Sequence, residues 1–242
     1  MIALALETST DLLSVAVRRS GGPAVTRTVE GARQHAAKLF PLVASALEEL
    51  GAGLDEVETL GLADGPGSFT GLRVGAAAAK ALARTHPGLA VWTASTLLVR
   101  AAGVLPPHGA RVLVVTSALR GELFAACYRL DLPRRVETLA TPALATPESL
   151  HNATPDLLVA DAEEKIVDRL ADQFAVPLVR GPASRPQAAA LLDLVGVPGA
   201  GVDVRAGELD AWEPEYGRPA EAQVRWERAH GRGLPDPSSV RG

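Results

Sequence analysis

Cysteine occurs once in the 242 residues, at Cys127, which excludes an internal disulfide framework and any multi-cysteine zinc site. Lysine is nearly absent: Lys38, Lys80 and Lys165 are the only three among 24 basic residues. Against 28 acidic residues these leave a net charge of -4, so the chain carries no general electrostatic pull toward nucleic acid. Histidine is scarce as well. His35, His86, His108, His151 and His230 include no pair three or four residues apart, the spacing a helical metal site needs. No apolar run reaches the ~18 residues of a membrane span, and no basic region precedes the apolar start at Met1. A soluble, unexported cytoplasmic protein is therefore expected. Nine aromatics beside 43 alanines imply a core of small aliphatic side chains in which helices pack closely.

Short apolar runs at 2–6, 12–18 and 24–29, broken at Gly21-Gly22-Pro23, read as a three-strand antiparallel meander. Apolar residues then recur at helical spacing over 34–50, with Gly51 placed to end the helix and Pro41 to bend it near its start or to begin it. A buried strand at 57–63, a glycine loop and a helix over 72–84 follow, then a strand at 90–93 and a helix over 95–102. After the linker Leu105-Pro106-Pro107-His108-Gly109 the order begins again. Strands at 111–116, 122–130 and 136–140 precede a strand at 157–160, a helix over 163–172, a strand at 176–179 and a helix over 185–196. Element order alone thus predicts a duplicated α/β domain: a first lobe over 1–105, a smaller second lobe over 106–200, and a segment over 201–242 that returns to the first lobe and is loose beyond about 220.

The segment Asp64 to Gly71 is the most informative. Its turn residues before a helix expose backbone N–H groups where the helix dipole favours an anion. It matches neither the Walker pattern nor Gly-x-Ser-x-Gly, and the residues by themselves favour glycines that serve a tight turn, with Ser68 or Thr70 capping the helix. Beyond the loop, Gly71, Gly75, Ala79 and Ala83 fall four apart and form a strip of nearly bare backbone along the helix. Such a strip admits another helix at close range, whether from a partner or from this chain. Glu7, Asp64 and Asp161 are the acids left for acid–base work, and Cys127, inside Phe124-Ala125-Ala126-Cys127-Tyr128, reads as an inert buried thiol.

Three motifs together are distinctive: Leu6-Glu7-Thr8-Ser9-Thr10 after the first strand, Arg33-Gln34-His35 before the long helix, and Gly65-Pro66-Gly67-Ser68-Phe69-Thr70-Gly71-Leu72-Arg73-Val74-Gly75. With Arg120-Gly121-Glu122 and Tyr216-Gly217-Arg218, they make the chain resemble the TsaB (YeaZ) family over roughly residues 1–221. That family supplies the dimerization subunit of the bacterial machinery that installs threonylcarbamoyl on the adenosine following the tRNA anticodon. The resemblance implies two ribonuclease-H-like lobes of the actin-like/sugar-kinase/Hsp70 (ASKHA) fold and a non-catalytic scaffold. Its partner would be a TsaD-like catalytic subunit, joined by a TsaE-like ATPase. tRNA would be held mainly by the partner, and a homodimer would use the same face.

The resemblance also implies neither catalytic residues, metal nor cofactor. TsaD binds metal through His-x-x-x-His, whereas Leu39 stands four after His35; catalytic relatives follow the first acid with Gly, whereas Thr8 follows Glu7. Ser117, Ala160-Asp161-Ala162 and Glu7 depart even from the TsaB pattern, where Asp, Gly-Asp-Gly and Asp are usual. The partner interface is expected on the 34–50 and 72–84 helices through His35, Leu39, Gly71, Arg73, Gly75, Ala79 and Ala83. Two rivals remain: an ATP-dependent phosphotransferase of the same fold, with Glu7 and Asp64 holding Mg²⁺, and a metallopeptidase, for which no His pair or triad is available.

Overall fold

The structure, a computed structural model, describes residues 1–31, 34–118, 121–205 and 207–217. Arg33, Arg120, Arg218, His230 and the tail beyond 220, all singled out above, lie outside the described residues.

The first half forms β1 (Ile2–Glu7), β2 (Leu12–Arg19), β3 (Ala24–Glu30), α1 (His35–Leu50), β4 (Val57–Ala63), α2 (Phe69–Thr85), β5 (Ala90–Ala94) and α3 (Thr96–Gly103). The second forms β6 (Ala110–Ser117), β7 (Leu123–Asp131), β8 (Arg135–Ala145), β9 (Leu157–Asp161), α4 (Glu164–Phe174), β10 (Leu178–Arg180) and α5 (Ala188–Leu194), followed by β11 (Val202–Val204). Within the first sheet the order is β3-β2-β1-β4-β5, and within the second β8-β7-β6-β9-β10. In each the first three strands are antiparallel, and the first, fourth and fifth run parallel. The same wiring occurs twice, so the repeat expected from element order is real: the molecule has two ribonuclease-H-like lobes of the ASKHA type. β11 extends the first sheet by pairing antiparallel with β5.

Why these residues layer as they do is visible in β1, which is buried on both faces, as a central strand between helices must be. Ile2, Leu4 and Leu6 point into one core with Leu39, Val43 and Leu47 of α1 and Ala79 and Leu82 of α2. Ala3 and Ala5 point the other way, into a core shared with α3, α5 and the inner face of the second sheet, including Val112, Val114, Ala126 and Tyr128. Large residues on one face and alanines on the other let α3 and α5 lie close between the two sheets. A third core, with Leu113, Cys127, Leu158, Val167 and Leu170, is closed by α4. Cys127 is buried there, and burial pushes its thiol further up.

Several features differ from the sequence reading, among them the strand β11, which it did not include, and the start of α2 at Phe69 instead of Leu72. α1 begins at His35 and runs through Pro41 instead of starting at it, with Gly51 closing it in a left-handed conformation. β8 is longer than expected, reaching Ala145. Although α5 follows the second sheet in sequence, it packs on β1, β2 and α3, so the chain is already back on the first lobe by Ala188. Among the described residues no helix is long and apolar enough to cross a membrane.

The alanine layer yields a test. Ala5→Leu adds apolar surface but overfills the narrow space beneath α5, and is expected to destabilise by about 1–3 kcal/mol, read as a lowered urea midpoint.

Candidate functional site

β1 delivers Glu7 to the interior, where it is fully buried. Its Oε1 accepts a hydrogen bond from the Ser9 backbone N–H at 2.6 Å, while Oε2 has no partner among the described residues. Burial pushes the Glu7 carboxyl up, opposed by the bond from Ser9 and by the charge of Arg100. The Thr8 and Ser9 carbonyls face the segment after β4. Ser68 donates its backbone N–H to the Ser9 carbonyl at 2.6 Å, and its side-chain oxygen accepts from Gly71 N–H at 3.2 Å, capping α2. A Cβ on Gly67 would collide with the Ser9 carbonyl, and one on Gly71 with the Thr8 carbonyl. On Gly75 it would lie 2.6 Å from the Thr8 hydroxyl oxygen and 3.0 Å from Leu62.

The strip of small residues therefore faces the chain's own β1–β2 turn and sheet, and is not an edge open to a neighbour. Gly71 and Gly75 are buried, and Ala79 is fully buried in the core with α1. His35 and Leu39 are buried too; His35 Nε2 lies 2.8 Å from the Thr10 carbonyl, locking the start of α1 to the turn. Ala83 is half-buried. Of the seven residues expected at the interface, Arg73 alone is exposed, its guanidinium 4.3 Å over the Phe69 ring. Spacing of four fixes that residues share a face of a helix, not which way the face turns.

What α1 and α2 do present is a neighbouring set: Ala36, Ala37, Phe40 and Ala44 on α1, and Thr70, Arg73, Ala77 and Ala81 on α2 are exposed. Between the beginnings of the two helices lies a recess of ≈ 310 Å³ bordered by Asp11, His35, Ala36, Ser68 and Val74. One flank of α2 is covered by the segment before Gly217, part of the stretch from 201 onward expected to return to the first lobe, although of its contact residues only Tyr216 was singled out in the sequence. Lys80 reaches the Asp210 carbonyl and the Glu213 carboxylate, each at 3.2 Å; Arg84 pairs with Asp210 at 2.7 Å; and the Phe69 and Tyr216 rings lie 4.6 Å apart.

A cleft of ≈ 320 Å³ between the lobes is bordered by Ser9, Thr10, Ser68, Thr116, Ser117, Arg100 and Asp161. Arg100, which nothing in the sequence flagged, is 4% exposed and spans the cleft. Its Nη1 donates to Asp161 Oδ2 at 2.9 Å and to the Ser184 carbonyl at 2.8 Å. Asp161, the central acid of the Ala160-Asp161-Ala162 segment noted above, thus has an internal cation for a partner. Glu7 and Asp64, named together for Mg²⁺ in the phosphotransferase reading, do not border this cleft. Asp64 lies on the other side of the Gly65–Pro66 turn, where burial, with repulsion from Glu215, pushes its carboxyl up to about 6. Among the described residues no three of His, Cys, Asp and Glu gather as a metal site.

Residues 29–186 match the family model described as TsaD, tRNA N6-adenosine threonylcarbamoyltransferase. The chain is 34% identical over 159 residues to the tRNA threonylcarbamoyladenosine biosynthesis protein TsaB of Escherichia coli, covering 65% of this chain and 68% of the relative. It is 41% identical over 80 residues to TsaB of Haemophilus influenzae, covering 33% and 34%. Among solved structures, a Pseudomonas aeruginosa protein described as similar to peptidase YeaZ superposes with a TM-score of 0.72 at 28% identity, covering 90% of this chain and 99% of that one. YeaZ from the same organism superposes at 0.69 and 29% identity, covering 81% and 90%.

Two outcomes are expected. Gly71→Ala forces a methyl group into the Thr8 carbonyl and should cost several kcal/mol, on the order of 3, in chemical denaturation. Because Asp64 holds its proton more tightly folded than unfolded, stability should fall as pH rises from about 4 to about 6 and then level off. Glu7, shifted the same way, adds to that slope. Asp64→Asn should flatten it and raise stability at pH 8 by about 1–2 kcal/mol, measured by urea titration across pH.

Proposed function

The chain belongs to the TsaB (YeaZ) family, and on that premise we propose that it acts in tRNA threonylcarbamoyladenosine biosynthesis as a non-catalytic subunit that pairs with a TsaD-like transferase. The observation that carries this reading is the outer surface of α1 and α2, where Ala36, Ala37, Ala44, Ala77 and Ala81 are exposed and short. Short side chains on two adjacent helices allow a second helix pair to approach toward the ~8 Å lower limit of interaxial distance. Likeness to the transferase family itself supports a partner of the same fold, which can offer equivalent helices about a pseudo-two-fold axis.

In this arrangement the residues first expected at the interface act from beneath it. His35 ties α1 to the Thr10 carbonyl, Gly71 and Gly75 seat α2 on the β1–β2 turn, and Ala79 and Leu39 fill the core between helices and sheet. Arg73 and the exposed alanines make the direct contacts. A homodimer through the same face is the free form, and a TsaE-like ATPase joins the assembled pair. With a net charge of -4, the chain leaves most of the tRNA affinity to its partner.

The test is Ala77→Arg, an exposed change that leaves the core untouched. Association with a TsaD-like subunit, followed by light scattering, should weaken at least about tenfold, or ~1.4 kcal/mol, with circular dichroism and urea midpoint unchanged. Reconstituted tRNA modification should fall in parallel. Unaltered affinity would remove the helix pair as the docking surface, and Mg-ATP turnover by the isolated chain would restore the phosphotransferase reading.

A further inference from the structure

Besides the inter-lobe cleft and the recess between α1 and α2, a third cavity of ≈ 290 Å³ opens between the edges of the two sheets. It lies at the end of β5, walled by Pro66, Phe124 and Pro142, with Val202 of the edge strand β11 at 62% exposure. Such a volume is at the small end for ligand pockets and suits one short aliphatic group. Its polar borders are unusual in sign. Asp64 and Glu215 both border the space, the hydroxyl residues Thr93 and Ser95 add no charge, and no basic side chain is among the bordering residues described.

Two carboxylates beside apolar walls, with no basic side chain among the described bordering residues, repel one another at this site. Glu215 is held against Asp64 by the backbone, its N–H donating to the Asp64 carbonyl at 2.8 Å. This fixes the Glu215 backbone beside Asp64, while its side chain stays exposed at the rim of the cavity. Among the described residues, the ionisable groups that interact with Asp64 are Glu215 on the covering segment, Glu7 on β1 and Tyr128 on β7, none of them basic. The nearest buried guanidinium, Arg100, is already committed to Asp161 and Ser184 across the other cleft.

We propose that this cavity is a binding site for an aliphatic primary ammonium group, with the methylene chain against Phe124, Pro142 and Val202 and the charged head between Asp64 and Glu215. The ligand is a small free amine or a lysine side chain, which share this chemistry. Binding replaces a carboxylate–carboxylate repulsion by two charge-assisted contacts in a partly dry site, where such contacts are strongest. It also favours the ionised form of Asp64, so association releases protons near pH 6.

The experiment titrates the full chain with n-butylammonium chloride and, separately, with n-butanol, the uncharged analogue of matching length, following amide chemical shifts. At pH 8 the ammonium should bind about tenfold more tightly than the alcohol or better. That preference should shrink at pH 5, and shrink in Glu215→Gln, an exposed change expected to leave the fold intact. Asp64→Asn should abolish it. A third arm uses Nα-acetyl-lysinamide: tighter binding than butylammonium assigns the site to a protein lysine, weaker binding to a free amine, and either supports the proposal. Equal affinity for ammonium and alcohol, no saturable shift at Val202 and Phe124, or a preference that survives in both variants would overturn it.

Discussion

The Thr8 and Ser9 carbonyls lie against the backbone of the segment from Gly67 to Gly75, and the arrangement of the first lobe depends on that approach. Three glycines are required because a side chain at any of these positions would enter the space of the β1–β2 turn. Once the contact forms, Ser68 is positioned to cap α2, and Thr10 to meet His35 and so fix α1. The glycine motif thus acts by seating two helices on the sheet, and the surface those helices offer is a consequence.

The second organising choice is the division of β1 into a leucine face and an alanine face. The alanine face draws α3 and α5 in close, so the interior of the first lobe is continuous with the inner face of the second sheet. The abundance of alanine, which at first looks like a property of composition alone, therefore bears on how the two lobes share a core.

Much of this was legible. Alternating and helical periodicities located β4 at its observed bounds and most other elements to within a few residues, and the repeated element order anticipated the repeated strand order. Local pattern failed where the answer lay in distant contacts. Gly71, Gly75, Ala79 and Ala83 announce a common helix face, yet only the position of Thr8 and Leu62 decides that it turns inward. α5 reads as part of the second lobe by chain order, and nothing near Ala188 says that β1 and β2 are its neighbours. Arg100 looks like one more arginine in a chain with 21 of them, until Asp161 is brought to it from 61 residues away. The pairing of Asp64 with Glu215 was hidden for the same reason.

Arg100 also bears on how the molecule can move. Its side chain is rooted in α3, while Asp161 and the Ser184 carbonyl belong to the other half of the chain, so a hinge opening between the halves must break both contacts and strand a buried guanidinium. Folds built from two such lobes have an evident axis for scissoring, and here that axis is pinned from inside. Opening along it carries the cost of an unpaired buried guanidinium, so the contents of the cleft and the angle between the halves are tied to one side chain.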